Sequence, residues 1–114
     1  MNVNVQFRED GEIIKGFIEG EVDTYTAPLL RDELDTIRIF EGVLIELDLS
    51  QVNYMDSTGL GIFVAFYKKV LKQNGNLKLV ALSSRLTRLF EITGLSELMD
   101  IESNKRVKTI NESI

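Results

Sequence analysis

The feature that most constrains this chain is a change of period. From Val43 to Leu49 apolar residues alternate, with Val43, Ile45, Leu47 and Leu49 on one side and Leu44, Glu46 and Asp48 on the other. From Leu60 to Lys72 the spacing becomes helical. Leu60, Phe63, Val64, Tyr67, Val70 and Leu71 share a face, and Lys68, Lys69 and Lys72 lie opposite. A period of two belongs to a strand with one buried face, and a period near 3.6 to an amphipathic helix. A chain that changes from one to the other over a short loop is built from strands and helices in succession.

The same alternation marks Val3, Val5 and Phe7, and Ile13 to Ile18 begins a second strand, with Glu9-Asp10-Gly11-Glu12 as the turn of a hairpin. Gly20-Glu21-Val22-Asp23 leads out of the second strand. Thr26-Ala27-Pro28 opens a helix, because the N–H that proline lacks would have no intrahelical partner in a first turn. Leu30, Leu34 and Ile37 give this helix a buried stripe, and Asp32 and Glu33 are expected near its positive end. Phe40 and Gly42 mark its exit. Asn74-Gly75 stops the next helix. Leu77, Leu79 and Ala81 form a further strand, and Ser83 caps a short helix carrying Leu86, Leu89 and Phe90 that ends at Thr93-Gly94. Leu95 to Met99 is expected to add one helical turn.

The order is β-β-α-β-α-β-α, which predicts an α/β fold: a four- to five-stranded sheet, mostly parallel or mixed, covered by helices. A chain of 114 residues suits one domain. That domain is taken as residues 1–101, followed by a polar tail, 102–114, that has no period and is expected to be flexible.

What the chain lacks narrows its chemistry. It has neither cysteine nor histidine. Disulfides, thiolate metal sites and thiol nucleophiles are thereby excluded, as is every Ser-His-Asp arrangement. The net charge is −5, with no clustered Lys and Arg to meet phosphates, so nucleic acid is not an expected partner. No apolar run approaches the roughly 20 residues of a membrane span. The opening residues, MNVNVQFRED, alternate and do not follow the layout of a signal peptide. A cytoplasmic chain is the expectation.

The loop at the change of period carries the functional question. It reads VNYMDSTGLGIFV, Val52 to Val64, and Asp56-Ser57-Thr58-Gly59 stands where the strand-like run meets the helix. Ser, Thr and Asp all favour the position before a helix, where their oxygens accept backbone N–H groups. Capping is the simpler reading of the tetrapeptide alone; the functional one is a phosphate switch on an exposed serine hydroxyl at a helix start. The added charge of about −1.5 to −2 would be tolerated by the helix terminus but not by a partner that had buried the neutral hydroxyl. Catalytic readings fare worse. A nucleophile elbow needs glycine two residues before the serine, where Met55 stands. A phosphate-cradling loop needs a spacing and a lysine that Gly59 and Gly61 do not supply. Asp23, Asp48 and Asp56 lack an evident lysine partner for an aspartyl-phosphate site. Ile62 and Phe66 lie off the main apolar stripe of the helix, either as a wide buried face or as a patch for a partner. Gly20 to Tyr25 reads as a helix approach capped by threonine or as an acidic, aromatic lip. Arg85 and Arg88 are most simply a solvated helix face.

Three segments, GEVDTYTAP, VNYMDSTGLGIFV and SSRLTRLFEITGL, occur in the order found in the anti-anti-sigma factors of the STAS domain superfamily. The chain resembles that family from Met1 to Ile101. The resemblance implies a partner-switching module with no catalytic residue, metal site or cofactor of its own. Its unphosphorylated form would bind an anti-sigma factor that is also a serine kinase, releasing the sigma factor. Phosphorylation at Ser57 would end that binding, and a PP2C-type phosphatase acting transiently under stress would restore it. ATP and magnesium would belong to the kinase. Carried over, Ser57 is the phosphoacceptor, Asp56 its neighbour, and Asp23 the acidic position near the serine. Thr24, Tyr25, Gly59, Leu60 and Ile62 are interface candidates by proximity, and Thr58 offers a second hydroxyl beside Ser57. The free protein would be a monomer or small oligomer. The other reading is a STAS scaffold or small-ligand or nucleotide-sensing module of a stress-signalling complex, which would run on gel filtration as a large assembly.

Overall fold

The computed structural model describes residues 2–103. Its elements are β1 (Val3–Asp10), β2 (Ile13–Val22), α1 (Ala27–Asp35), β3 (Leu44–Met55), α2 (Ser57–Lys72), β4 (Asn76–Leu82), α3 (Ser84–Ile92), a 3₁₀ turn (Leu95–Glu97) and β5 (Asp100–Ser103). This is the expected order with one further strand. The sheet runs β1-β2-β3-β4-β5, with β1 antiparallel to β2 and every later pair parallel.

Because strand order equals chain order, successive crossovers of one hand carry their helices onto one face of the sheet. The burial follows. Ile45, Leu47 and Leu49 of β3 are wholly buried, while Leu44, Glu46 and Asp48 on the other face are half-buried. The core between sheet and helices is filled by Ile18, Leu30, Leu34, Phe63, Leu79 and Phe90, among others. On the opposite face the register lines up Lys15, Glu46, Lys78 and Asp100 across β2 to β5. Cross-strand neighbours of opposite sign keep that face soluble at no cost in packing. Lys78 reaches Glu102 at 3.0 Å. On β1 and β2 of the same face, the Arg8 guanidinium lies 5.7 Å from the centre of the Phe17 ring.

Several expectations need correction. Helix α1 spans Ala27–Asp35, so Asp32 and Glu33 lie beyond its first turn, which contains no acidic residue. Ile37 is buried but follows the helix. Helix α2 starts at Ser57, three residues before the apolar period does, and Leu71 points outward at 44% exposure. Phe66 is 3% exposed, so it widens the buried face and is no surface patch. At the end of α2 it is Asn74 that adopts the left-handed conformation (φ 63°). Gly75 serves packing instead: a Cβ there would stand 2.8 Å from Val43 Cγ1. The helical turn expected over Leu95 to Met99 is a 3₁₀ turn of Leu95–Glu97. The polar tail expected from residue 102 begins as sheet, since Glu102 and Ser103 belong to β5. Residues 104–114 lie outside the described residues.

Candidate functional site

The long pair β2–β3 sets the site. Its last register step places Val22 beside Met55, so the loops that leave the two strands start side by side. The Asp56 N–H donates to the Val22 carbonyl at 3.1 Å, continuing the ladder one step past the strands. Helix α2 then turns back over β2. This close approach requires glycine at position 59, where an added Cβ would stand 2.5 Å from Val22 Cγ1 and 2.6 Å from the Val22 oxygen.

The helix cap is Asp56, not Ser57. Asp56 is extended (φ −109°, ψ −174°), and its Oδ1 accepts the Gly59 N–H at 3.0 Å. Ser57 is therefore the first residue of α2, exposed, and its hydroxyl has no hydrogen-bond partner within the described residues. Thr58, also exposed, has its Oγ1 3.4 Å from Thr24 Oγ1. That distance is at the outer limit for such a contact. Of two adjacent hydroxyls, Thr58 touches the neighbouring loop and Ser57 points free. The opening backbone N–H groups of α2 have no intrahelical acceptor, as at any helix start.

Asp23 follows Val22 and so leaves the sheet beside Asp56, with its side chain turned inward. It is 5% exposed, and its Oδ1 accepts the N–H groups of Tyr25 at 2.9 Å and Thr26 at 3.0 Å. Thr26 is also buried, donating its hydroxyl to the Glu21 carbonyl at 2.7 Å and accepting the Asp23 N–H at 2.9 Å. The threonine cap expected for α1 is thus replaced by an aspartate turn, and Thr26 makes no side-chain cap bond. Asp23 Oδ2 is buried without a partner. The Asp23 carboxylate faces into the turn that raises Thr24 and Tyr25 to the surface, so it adds no exposed charge to that lip. Tyr25 stands 81% exposed.

Of the candidates, Thr24, Tyr25, Ser57 and Thr58 are exposed, Asp56 and Ile62 are half-buried, and Asp23, Gly59 and Leu60 are internal. Ile62 lines a small hollow of about 110 Å³ between α1 and α2, with Arg31 and Lys69 at its margin. A residue that the sequence reading passed over is Leu29, 57% exposed on α1. The signal was there: successive helical positions diverge by about 100°, so Leu29 cannot share the stripe of Leu30. Among the described residues no group of three or more acidic side chains gathers in a way that could hold a metal ion.

The helix start thus presents an exposed serine beside a loop that carries a hydroxyl and an exposed aromatic ring. The chain belongs to the STAS domain family, whose profile matches residues 4–108. It is 48% identical over 103 residues to the anti-sigma-B factor antagonist of Bacillus subtilis, covering 90% of this chain and 94% of that one. With the protein of the same name from Listeria monocytogenes it shares 44% identity over 104 residues, 90% of this chain and 91% of that one. A crystal structure of an anti-sigma factor antagonist from Mycobacterium paratuberculosis superposes with a TM-score of 0.74 at 25% identity, covering 89% of this chain and 86% of that one. These relatives are named for antagonism of a regulator and not for a reaction.

Proposed function

We propose that this chain is an anti-anti-sigma factor acting in the cytoplasm, without catalytic activity of its own, and that phosphorylation at Ser57 switches its partner. Unmodified, it binds an anti-sigma factor that is also a serine kinase, and so frees the sigma factor. The observation that carries this reading is the Ser57 hydroxyl: exposed at the first position of α2, without a partner among the described residues, in a chain whose curated relatives are named anti-sigma-B factor antagonists. A serine kept for capping would be engaged with the backbone, and here Asp56 does that work.

The switch follows from electrostatics. A partner that covers the helix start buries a neutral hydroxyl at little cost. A phosphate there brings about −1.5 to −2 charges beside Asp56, and desolvating them is unfavourable unless the partner supplies cations. Thr24, Tyr25 and Thr58 contribute contact area, joined by Ile62 at the margin. Asp23 acts through the turn that presents Thr24 and Tyr25, and Gly59 and Leu60 hold the helix start in place. A PP2C-type phosphatase reverses the modification.

The test is a titration of the anti-sigma kinase from the same organism with three forms: unmodified, phosphorylated at Ser57, and Ser57→Ala. The unmodified and alanine forms should bind alike, the phosphorylated form at least a hundredfold more weakly, and the alanine form should take up no phosphate. Phosphate uptake by Ser57→Ala that disappears only when Thr58 is also replaced would sink the site assignment. Equal binding of all three forms would sink the switch.

A further inference from the structure

Strand β3 outruns its neighbour. Its pairing with β4 ends at Asp48 and Val80, whereas its pairing with β2 continues to Met55. The β4 chain leaves the ladder through a left-handed residue, Ala81 (φ 60°), and turns into α3 after Leu82. The segment Val52–Met55 therefore has a strand partner on one side only. Its other edge looks across a groove of about 670 Å³ toward α3.

The groove has an apolar floor that includes Met55 and Leu86, both buried. Tyr54 and Ile92 stand on its sides at 48% and 75% exposure. Arg85 and Arg88, one turn apart on α3, are exposed and form no ion pair with any described residue. No acidic residue lines it, although the chain as a whole carries 18 of them against 13 basic ones.

We infer that the β3–α3 groove is a docking site for an extended, acidic segment of a protein partner, which adds a strand to the free edge of Val52–Met55 and sets its carboxylates on Arg85 and Arg88. An unpaired strand edge is satisfied by another extended backbone, with alternate side chains entering the floor. A small ligand seated on the floor would leave Ile92 and Tyr54 in water, whereas a chain lying along the groove covers both. The charge decides the partner. The chain as a whole is acidic, whereas this groove sets two arginines without ion pairs among the described residues beside an apolar surface. The inference stands independently of any modification at Ser57.

The experiment is a ¹⁵N titration of the full chain with two probes: a short peptide alternating glutamate with valine, and its counterpart with lysine for glutamate. The acidic peptide should bind about tenfold more tightly than the basic one, moving amide signals over Val52–Met55 and Ser84–Ile92. The double variant Arg85→Glu/Arg88→Glu, whose changes are at exposed positions, should reverse that preference. Methylating the peptide's alternate backbone nitrogens should abolish binding by removing the strand pairing. Equal affinity for the two peptides, absence of shifts with either, or shifts confined to another surface would overturn the inference.

Discussion

An alanine at position 59 would carry its Cβ to 2.5 Å from Val22 Cγ1 and 2.6 Å from the Val22 oxygen, and the second of these atoms belongs to a paired strand that cannot give way. Two residues on, Gly61 sits in the same helix with nothing within 4 Å of the Cβ it lacks. The two substitutions should therefore differ in sign. Gly59→Ala is expected to destabilise by about 1–3 kcal/mol through overpacking. Gly61→Ala should stabilise by about 0.5–1 kcal/mol, because glycine is a poor helix former. Urea midpoints of the two variants check this directly. The cap belongs to the same scale. Asp56→Ala removes the acceptor for the Gly59 N–H and is expected to cost about 1 kcal/mol. Ser57→Ala, whose hydroxyl bonds to nothing in the described chain, should leave the midpoint unchanged. A large loss on Ser57→Ala would return the serine to a structural role.

Strands β4 and β5 form the sheet's short parallel edge, and an ion pair between Lys78 and Glu102 spans them. The hydrogen bond that Lys78 donates to Glu102, and then the Glu102 charge, hold the Lys78 ammonium above its ordinary value of 10.5. A raised lysine pKa stabilises the fold fully below the unfolded value, and that contribution is lost as pH rises through the folded one. Glu102→Gln should thus lower the urea midpoint slightly at neutral pH, more at low salt than at high. The difference from the unsubstituted chain should close once the pH has risen through the raised Lys78 value. A gap that persisted there would assign the effect to packing. The same edge shows where the sequence was silent. Asp100-Ile101-Glu102-Ser103 has one apolar residue, too few to show alternation, and only pairing with Lys78, Leu79 and Leu82 of β4 makes it a strand. The end of β3 was hidden similarly, since Ser50, Gln51 and Asn53 break the apolar pattern although the β2 ladder continues beside them. Helix α2 was read three residues short because Ser57, Thr58 and Gly59 have low helix propensity, and the Val22 contact that fixes them is distant in sequence. Strong periods were legible: the stripe of α1, the buried faces of β3 and β4, and the apolar face of α3. At the site, the position of Ser57 was legible, but the burial of Asp23 was not, because its partners are backbone groups.

At the scale of the whole molecule the question is whether a phosphate at Ser57 acts on the fold or on the surface. The modification takes the net charge from −5 to about −7 in a chain already acidic. Two local effects oppose one another. The first turn of α2 offers unpaired N–H groups and the positive end of a sixteen-residue helix, worth about 0.3–1 kcal/mol to an anion. Asp56, the preceding residue, is half-buried and repels it. Both effects act at the exposed helix start, whereas Gly59, two residues on, is buried against Val22 of β2. The phosphorylated and unmodified proteins should therefore unfold within about 1 kcal/mol of each other. Their affinities for the anti-sigma kinase should differ by a hundredfold or more, about 2.7 kcal/mol. Paired thermal melts and hydrogen-exchange rates over α2, run on the preparations used for the binding titration, separate the two possibilities. Matching melts with divergent affinities place the switch in the interface. A melt lowered by many degrees, with α2 amides exchanging faster, would mean that phosphorylation releases the partner by loosening the helix start, and that the bond between Asp56 and Gly59 is the element it breaks.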